Sequence, residues 1–431
     1  MIKSVLYGIL SRLESIVLFS DYPLSACLSF SERLWLIVKL LIERSQFWRS
    51  ATPEIRALLC IKADERILVP VLLGLLKEKP DLKVTAVIPQ PHNFALKQKL
   101  KQAGCQVEHS LSDILKPCVH PQNKLVLFCL DHQFFYRIHA RGVNASITLQ
   151  KYEVKTASIQ HGGTRKDAVQ GLATTASDKI LVWGERVYRE LIEQYHLPVD
   201  RLRLVGNHLH DRIHFLDRDQ ILQELKAFSP QFWLEACTKK VILLATCLHT
   251  EYGDRSNEAE LYQRYMQHLY QQLDFSKVCL VIKMHPTDQR NPNLYQTYLP
   301  EALHHSSSIC MIEPEQTNLD VYALLYISDL LITRASTVAE EALLMNKKVI
   351  AFDVDDQGPA SAYHHLEEYG SYKTVYFTEQ HGLAEAIQTA LFEPSDATNA
   401  SSYDLAREFT YALDGNSLQR TVTELLQQLY S

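Results

Sequence analysis

Residues 331–343 read LITRASTVAEEAL, and this stretch decides the fold. An apolar run ends at Thr333, a short polar turn follows, and an apolar pattern with helical spacing begins at Val338. A strand, a turn and a helix in this order form the repeating unit of doubly wound α/β domains. The stretch therefore predicts a parallel sheet with helices packed on it.

The turn of this stretch has two interpretations. Thr337 and Glu340 have the spacing of a capping box, in which both side chains bond backbone N–H groups at the start of a helix. The turn also offers the hydroxyls of Ser336 and Thr337, the Arg334 guanidinium and the backbone N–H groups of a helix start, a set suited to a phosphate group. We favour the phosphate site, and a purely structural cap is the alternative.

Similar strand–helix units occur on both sides of a polar helical stretch, 211–239. The first series of predicted strands is 57–61, 83–88, 124–130, 158–160 and 180–183. The second series is 241–245, 278–282, 309–312, 330–333 and 349–352. The fold class is therefore α/β, with two Rossmann-like doubly wound domains. Two such domains in series should face a central cleft at the carboxyl ends of their strands, where ligands bind in open sheets.

The domain boundaries follow from these two series. We expect a helical arm at 1–50, an N-terminal domain at 51–207, a linker at 208–239, a C-terminal domain at 240–395, and C-terminal helices at 396–431 that pack back on the N-terminal domain. The arm is expected to pack on the first domain, and a helix lying on a membrane surface is the alternative.

Composition excludes several classes of protein. The 431 residues are 46% hydrophobic and 22% charged, which is typical of a folded globular chain, and the net charge of −6 comes without the basic stripe of a nucleic-acid binder. The nine cysteines form no CxxC pair and indicate free thiols in a reducing compartment. Without a secretory signal or a charge-free membrane span, the expected location is cytoplasmic, with peripheral association with the inner membrane as a further option.

The second half of the chain contains a further candidate phosphate motif, residues 282–286. Lys283 and His285 are two residues apart at the end of an apolar strand, so they share one face of it. Both could meet the same phosphate, and a protonated His285 could stabilise a leaving phosphate. Thr246 and His249 follow the first strand of that half and could line the same pocket. A satisfied, purely structural histidine is the alternative for His285.

Candidate catalytic groups in the first half also follow strands. His161 precedes two glycines, which let a backbone approach a ligand closely, although a tight turn is the alternative. Asp64 and Glu65 come after the first strand, where a carboxylate could act as general base, although acidic residues are also common at helix starts for dipole reasons. Asp131 and His132 are rivals in the same position of a later strand.

The chain lacks the usual glycine-rich and metal motifs. It has 14 glycines, with neither GxGxxG nor GxxxxGK[ST], so a phosphate site must use hydroxyls, helix N-termini and basic side chains. Neither HExxH nor a Cys/His grouping occurs, and we interpret the acidic run Asp353–Asp356 as a solvated loop. We therefore expect no metal and no cofactor other than a nucleotide-linked substrate.

Several short motifs together resemble the GT-B superfamily. The similarity is to bacterial glycosyltransferases and glycerophosphotransferases that build capsule, teichoic acid and other surface polysaccharides, including those that use CDP-glycerol. It rests on the order and spacing of five segments spread over residues 158–420, which is about 60% of the chain. These segments are Ile159–Gly162, Val205–His208 with Asp211, Ile282–Pro286, Ser336–Ala342 and Leu413–Ser417.

The resemblance implies a function. A sugar or a polyol phosphate would move from a CMP-, UDP- or CDP-linked donor to a surface glycan or glycolipid acceptor, without nucleic acid. The second domain would hold the donor and the first domain the acceptor and the base. Lys283, His285, Ser336 and Thr337 would contact the donor phosphates, and Glu341 the ribose or the sugar.

The same motif order is similar to non-hydrolysing UDP-N-acetylglucosamine 2-epimerases, and this alternative stays open. Those enzymes carry Ser-Gly-Gly where this chain has Ala335-Ser336-Thr337, and Gly-Thr-Arg-Pro-Glu where this chain has Lys62–Glu65. Both departures favour a transferase. A non-catalytic scaffold of the same fold is the second alternative.

Overall fold

The computed structural model describes residues 52–89, 94–129, 131–132, 136–245, 258–285, 294–313, 316–356, 358–377, 382–393 and 402–431. They fall into two compact units. Unit 1 runs to Gly162 and includes Asp167–Leu209 and Asn416–Ser431, and unit 2 comprises Gly163–Lys166 and His210–Gly415. The predicted arm at 1–50 lies outside the described residues.

The helices of the described ranges are α1 Lys62–Glu78, α2 Phe94–Gln102, α3 Tyr136–Lys151, α4 Lys166–Ala173, α5 Glu185–Glu193, α6 Asp211–His214, α7 Arg218–Phe228, α8 Pro230–Ala236, α9 Glu258–Gln272, α10 Leu294–Thr297, α11 Val321–Ile327, α12 Val338–Leu344, α13 Gly382–Phe392, α14 Ser402–Thr410 and α15 Ser417–Tyr430. Short 3-10 segments add Leu111–Val119, Val199–Arg201, Glu301–Leu303 and Pro359–Tyr369. In these ranges no helix is both long enough and apolar enough to cross a bilayer.

Unit 1 contains a seven-stranded sheet in the order β3-β2-β1-β4-β5-β6-β7, and every pair in it is parallel. Its strands are β1 Glu54–Leu58, β2 Lys83–Val87, β3 Gln106–Glu108, β4 Lys124–Phe128, β5 Lys155–Ile159, β6 Lys179–Val182 and β7 Leu202–Leu204. Helices α1 and α15 share one apolar core with one face of the sheet, and α3 and the segment 111–119 cover part of the other. The last helix of the chain thus packs in unit 1.

Strand β1 starts three residues earlier than its apolar pattern predicts. Glu54 and Arg56 are charged residues, yet both are buried in the sheet. Arg56 pairs with Glu54 at 2.8 Å and with Glu108 at 2.5 Å, and Lys124 reaches Glu54 at 3.3 Å. Burial alone would raise the pKa of Glu54, but the surrounding cations outweigh it and the pKa is lowered. Charges that pair inside a sheet are invisible to a hydrophobic pattern.

Unit 2 contains a six-stranded parallel sheet in the order β10-β9-β8-β11-β12-β13. Its strands are β8 Lys240–Leu244, β9 Val278–Lys283, β10 Ile309–Ile312, β11 Leu330–Thr333, β12 Lys348–Asp353 and β13 Tyr372–Tyr376. Alternate residues of each strand enter two different cores, so both faces are covered. The predicted α/β class with two doubly wound units is confirmed.

Polar helices that the sequence suggested as a linker belong to the core of unit 2. Ile221 and Leu225 of α7 and Phe232 of α8 are buried there, together with Leu405 and Phe409 of α14. Each of these helices is amphipathic, so a polar composition is compatible with one buried stripe. Of the two C-terminal helices, α14 therefore packs in unit 2 and α15 in unit 1.

The buried charges of β1 make a stability prediction. Replacing Arg56 with alanine should lower the free energy of unfolding by about 3–5 kcal/mol, because Glu54 and Glu108 would lose their shared buried cation and keep only the more exposed lysines beside them. Urea denaturation followed by circular dichroism measures the change. Arg189→Ala is the matched control, since Arg189 forms an exposed pair with Glu185 in the same unit and should cost less than about 1 kcal/mol. Equal costs for the two variants would show that the buried network adds nothing.

Candidate functional site

The strand order of unit 2 reverses beside β8, and such a switch point is where open α/β sheets bind ligands. Leu244 of β8 pairs with Ile282 on one side and with Ile332 on the other. Adjacent strands lie about 4.8 Å apart, so the ends of β9 and β11 are about 10 Å apart at the same level. Residues at or after the ends of these two strands therefore share one edge of the sheet (Lys283, His285, Ser336 and Thr337). We call it the donor edge, after the role that the resemblance implies for it.

Lys283 and His285 lie at the end of β9. Met284, between them, is buried in the core formed with α9 and α13. Lys283 and His285 therefore lie on the opposite side of the chain from Met284, as their spacing predicts. Lys283 is half-buried, its Nζ lies 3.5 Å from the Glu313 carbonyl oxygen, and burial lowers the pKa of this lysine. His285 is exposed. The donor edge thus carries one partly desolvated cation and one imidazole.

The turn after β11 is not closed by the predicted capping box. Thr337 has helical backbone angles and its side chain makes no cap hydrogen bond, while the Ser336 hydroxyl accepts from the Val338 N–H at 3.3 Å. Glu340, the other half of the predicted box, bonds elsewhere. The capping-box prediction is wrong, and both hydroxyl side chains remain half-exposed at the donor edge.

Glu340 instead holds a segment from far away in the sequence, Gly163–Thr164, which belongs to unit 2. Its Oε1 accepts from the Thr164 N–H at 2.7 Å and from the Thr164 hydroxyl at 3.0 Å. His365 Nε2 lies 2.7 Å from the same hydroxyl and must be the donor there, because that hydroxyl has already given its hydrogen to Glu340. A Cβ at position 163 would come within 2.1 Å of Glu340 Oε1. Glycine is therefore required where the carboxylate lies.

Glu341, the residue that the resemblance assigns to the ribose or sugar, is also buried. Its Oε1 accepts from the Tyr322 hydroxyl at 2.9 Å, and His210 Nε2 lies 3.8 Å away. These three side chains come from α11, α12 and the loop before α6. A role of Glu341 in donor binding stays a prediction.

Arg334, a candidate phosphate ligand in the sequence, has a buried counter-ion, and its role in ligand binding stays a prediction. Its Nε donates to Asp353 Oδ1 at 2.7 Å in an ion pair whose side chains are 7% and 0% exposed. The interpretation of Asp353–Asp356 as a solvated loop is therefore wrong for Asp353, although Asp355 and Asp356 are exposed. Thr246 and His249, which were predicted to line the same pocket, lie outside the described residues.

Asp64 in unit 1 bridges the switch point between β1 and β4. Its Oδ2 accepts from the N–H groups of Cys60 at 2.6 Å and Ile61 at 2.9 Å, and its Oδ1 accepts from Cys129 Sγ at 3.0 Å. Burial raises the pKa of Asp64, while these hydrogen bonds lower it. The carboxylate thus caps α1 and joins two strand ends, and Glu65 is the half-exposed member of the pair.

Asp131, the alternative candidate for the base, also accepts hydrogen bonds from groups around it. It is fully buried, and its Oδ2 accepts from the Ser177 N–H at 3.0 Å and the Ser177 hydroxyl at 2.5 Å. Burial raises its pKa, and hydrogen bonds from serines oppose the shift. Its neighbour His132 is buried too.

His161 lies in a loop that the preceding residue fixes. Gln160 Oε1 accepts from the Trp183 N–H at 2.8 Å, and Gln160 Nε2 donates to the Gly162 carbonyl at 3.0 Å. Gly162 has φ +80°, which favours glycine. Gly162 thus needs glycine for its backbone conformation and Gly163 for the Glu340 contact, whereas the approach of a ligand to these glycines stays a prediction. His161 is half-exposed. Sequence analysis missed Gln160, whose position at a strand end was the available signal.

In the described ranges no three histidine, cysteine, aspartate or glutamate side chains are grouped in a way that could hold a metal ion.

The Glu340 contacts predict a cost for their loss. Glu340→Ala should lower the free energy of unfolding by about 1–3 kcal/mol, because the buried N–H of Thr164 loses its acceptor. Glu367→Ala is the control, since Glu367 accepts from the exposed N–H of Thr374 and should change stability by less than about 0.5 kcal/mol. Thermal and urea unfolding of both variants measure the difference, and a Glu340 variant as stable as the control would contradict the assignment.

Comparison with known proteins identifies the fold. No protein-family model and no curated protein sequence matches the chain. Among solved structures, a UDP-GlcNAc 2-epimerase from Neisseria meningitidis bound to UDP-GlcNAc is 18% identical, with a TM-score of 0.55 over 87% of this chain and 100% of that chain. S. aureus MnaA in complex with UDP is 15% identical, with a TM-score of 0.56 over 87% and 96%.

The Anabaena protein HepE in complex with UDP and glucose is similar to the same extent. It is 14% identical, with a TM-score of 0.52 over 86% of this chain and 99% of that chain. Identities this low establish the fold and not the activity. The chain therefore has a GT-B-like fold built from two doubly wound α/β units with seven and six parallel strands.

Proposed function

We propose that the chain is a glycosyltransferase that takes a sugar or a polyol phosphate from a nucleotide-linked donor. The observation that carries the proposal is the donor edge of unit 2. A lysine, an imidazole and two hydroxyls lie there on both sides of β8, at the switch point of the sheet. The acceptor would be a surface glycan or glycolipid, as the resemblance of the motifs implies.

The chemistry of the donor edge suits a diphosphate. Lys283 brings a positive charge whose hydration is already partly removed, so less solvation is lost when a phosphate pairs with it. Ser336 and Thr337 can donate hydroxyl hydrogens to phosphate oxygens, and His285 can stabilise the charge that develops as the nucleotide leaves. Three proteins of the same fold were solved with UDP or a UDP-sugar, which supports this choice of ligand.

Transfer to an acceptor hydroxyl needs a general base, and unit 1 carries several titratable side chains near the carboxyl ends of its strands. Asp64 and Asp131 already accept several hydrogen bonds each and are buried, which suits a structural role. His161 and Glu65 are half-exposed. We assign the base to His161 or Glu65. We prefer His161, because imidazole exchanges protons near neutral pH.

An epimerase is the second candidate, and a specific observation favours it. The Neisseria meningitidis protein, which has the same fold over 87% of this chain, is named a UDP-GlcNAc 2-epimerase and was solved with UDP-GlcNAc. Incubation with UDP-GlcNAc in the absence of any acceptor separates the two functions. Interconversion at C2, seen by NMR, would establish the epimerase, whereas a transferase leaves the configuration at C2 unchanged.

The donor edge predicts which substitutions weaken nucleotide binding. Ser336→Ala, Thr337→Ala and Lys283→Ala should each raise the Kd for the best-binding nucleotide of a UDP, CDP, CMP and GDP screen by tenfold or more. Each removes a hydrogen bond to a charged group, about 1.5–3 kcal/mol. Isothermal titration calorimetry measures the Kd.

Two controls match these variants. Lys277 precedes the same strand that Lys283 ends, and the Thr238 hydroxyl bonds the Glu235 carbonyl on the exposed surface of unit 2. Lys277→Ala and Thr238→Ala should leave the Kd unchanged. Normal binding by the Ser336 and Thr337 variants would reduce the turn to a helix start and remove the basis of the proposal.

The candidate bases predict the opposite pattern. His161→Ala and Glu65→Gln should leave nucleotide affinity nearly unchanged, and the variant that removes the base should slow turnover by a hundredfold or more. Initial rates of nucleotide release with an extract of surface glycans as acceptor measure turnover. Full turnover in both variants would exclude both residues and return Asp64 and Asp131 to consideration.

A further inference from the structure

Asp353, the last residue of β12, collects three hydrogen bonds at the donor-edge side of the sheet. Its Oδ1 accepts from Arg334 Nε at 2.7 Å and from the Val354 N–H at 2.8 Å, and its Oδ2 accepts from the Ala360 N–H at 3.0 Å. The side chain is fully buried. Its position is therefore fixed from two directions, by the neighbouring strand and by the start of the 3-10 segment 359–369.

The sequence is adapted to this carboxylate at Gly358. A Cβ there would lie 2.4 Å from Asp353 Oδ2 and 2.8 Å from Oδ1. Gly358 has φ −74°, which any residue can adopt, so its backbone conformation does not demand glycine. The close approach of the carboxylate is what does.

Arg334, the partner of Asp353, is the first residue of the turn that carries Ser336 and Thr337. On its other side, the Thr333 hydroxyl donates to the Ala245 carbonyl at 2.9 Å, which ties the end of β11 to β8. The turn thus leaves the sheet from a point bonded to β8 and anchored to β12. A short turn that starts from a fixed residue has few ways to place its hydroxyls.

We propose that Asp353 is a positioning residue for donor binding: through its buried pair with Arg334 it sets the place of Ser336 and Thr337 at the donor edge. This inference rests on the proposed function, because it gives the pair a purpose only if the turn binds the donor phosphates. Asp353 itself touches no donor. Its removal should weaken nucleotide binding by displacing the hydroxyls.

The test is UDP binding by Asp353→Asn, measured by calorimetry on the full chain. Asp329→Asn is the control, because Asp329 bonds Lys240 and the Val241 N–H just before β11, at the opposite end of the same strand. We expect about a tenfold rise in Kd for Asp353→Asn and none for Asp329→Asn. Gly358→Ala, which displaces the carboxylate without removing its charge, should act in the same direction and serves if Asp353→Asn does not fold.

A double-mutant cycle separates positioning from a general loss of stability. Ser336→Ala should cost about tenfold in the wild-type background but less than about threefold beside Asp353→Asn, because a displaced hydroxyl has little left to lose. Multiplicative losses, or UDP binding by Asp353→Asn and Gly358→Ala that equals wild type, would overturn the inference alone. A wild-type protein that binds neither UDP nor any other nucleotide of the screen would overturn the proposed function, and the inference with it.

Discussion

A carboxylate taken out of water must be met by hydrogen-bond donors, and the carboxyl edges of both sheets depend on this constraint. Asp64 and Asp131 in unit 1, and Glu340 and Asp353 in unit 2, are all at most 3% exposed. Each accepts at least two hydrogen bonds from backbone or side-chain groups that lie outside the strands. An unpaired buried charge costs several kcal/mol, so each carboxylate enforces one arrangement of its donors.

This use of acidic residues leaves other groups for chemistry. A base or a phosphate ligand must be reachable, and a carboxylate that already holds two or three donors gains little from a further partner. The groups at the edges that stay half-exposed or exposed are of different types, a lysine, two histidines, two hydroxyls and Glu65. This difference supports the proposed donor site. In that site, buried carboxylates hold the loops in place, while hydroxyls and cations contact the anionic donor.

The apolar strands were predictable because a parallel strand covered on both faces is a near-continuous run of large aliphatic residues. Predicted strands 309–312 and 330–333 match β10 and β11, and most others differ by one to three residues. The edge strands β3, β7 and β13 were missed. Strands β3 and β7 have three residues each, which carry too little pattern to be seen, and β13 has Lys373 and Thr374 in its middle. Strand β1 was shifted because its first residues are charges that pair inside the fold.

The candidate site was predictable at the level of position, and not at the level of partners. Their positions at strand ends placed Lys283, His285, Ser336 and Thr337 at the carboxyl side of one predicted sheet, and the strand order of the structure puts the two strands on either side of β8. The partners of Glu340 and Asp353 could not be found in this way. Glu340 has the spacing of a local cap but bonds a residue 176 positions away, and Arg334 looks like a phosphate ligand but has a buried counter-ion 19 positions on.

Sequence spacing reports what a side chain can reach within its own helix or strand. Competition from groups elsewhere in the fold decides which hydrogen-bond partner the side chain takes. At Glu340 the competing partner is a buried backbone N–H with a hydroxyl beside it, and these two donors outweigh the single N–H that a cap would satisfy. Two glycines reflect the same competition for partners. At positions 163 and 358, a carboxylate from elsewhere in unit 2 occupies the space that a Cβ would need. A glycine whose φ is not positive can thus mark a close tertiary contact in the structure, and at positions 163 and 358 that contact is with a buried acid.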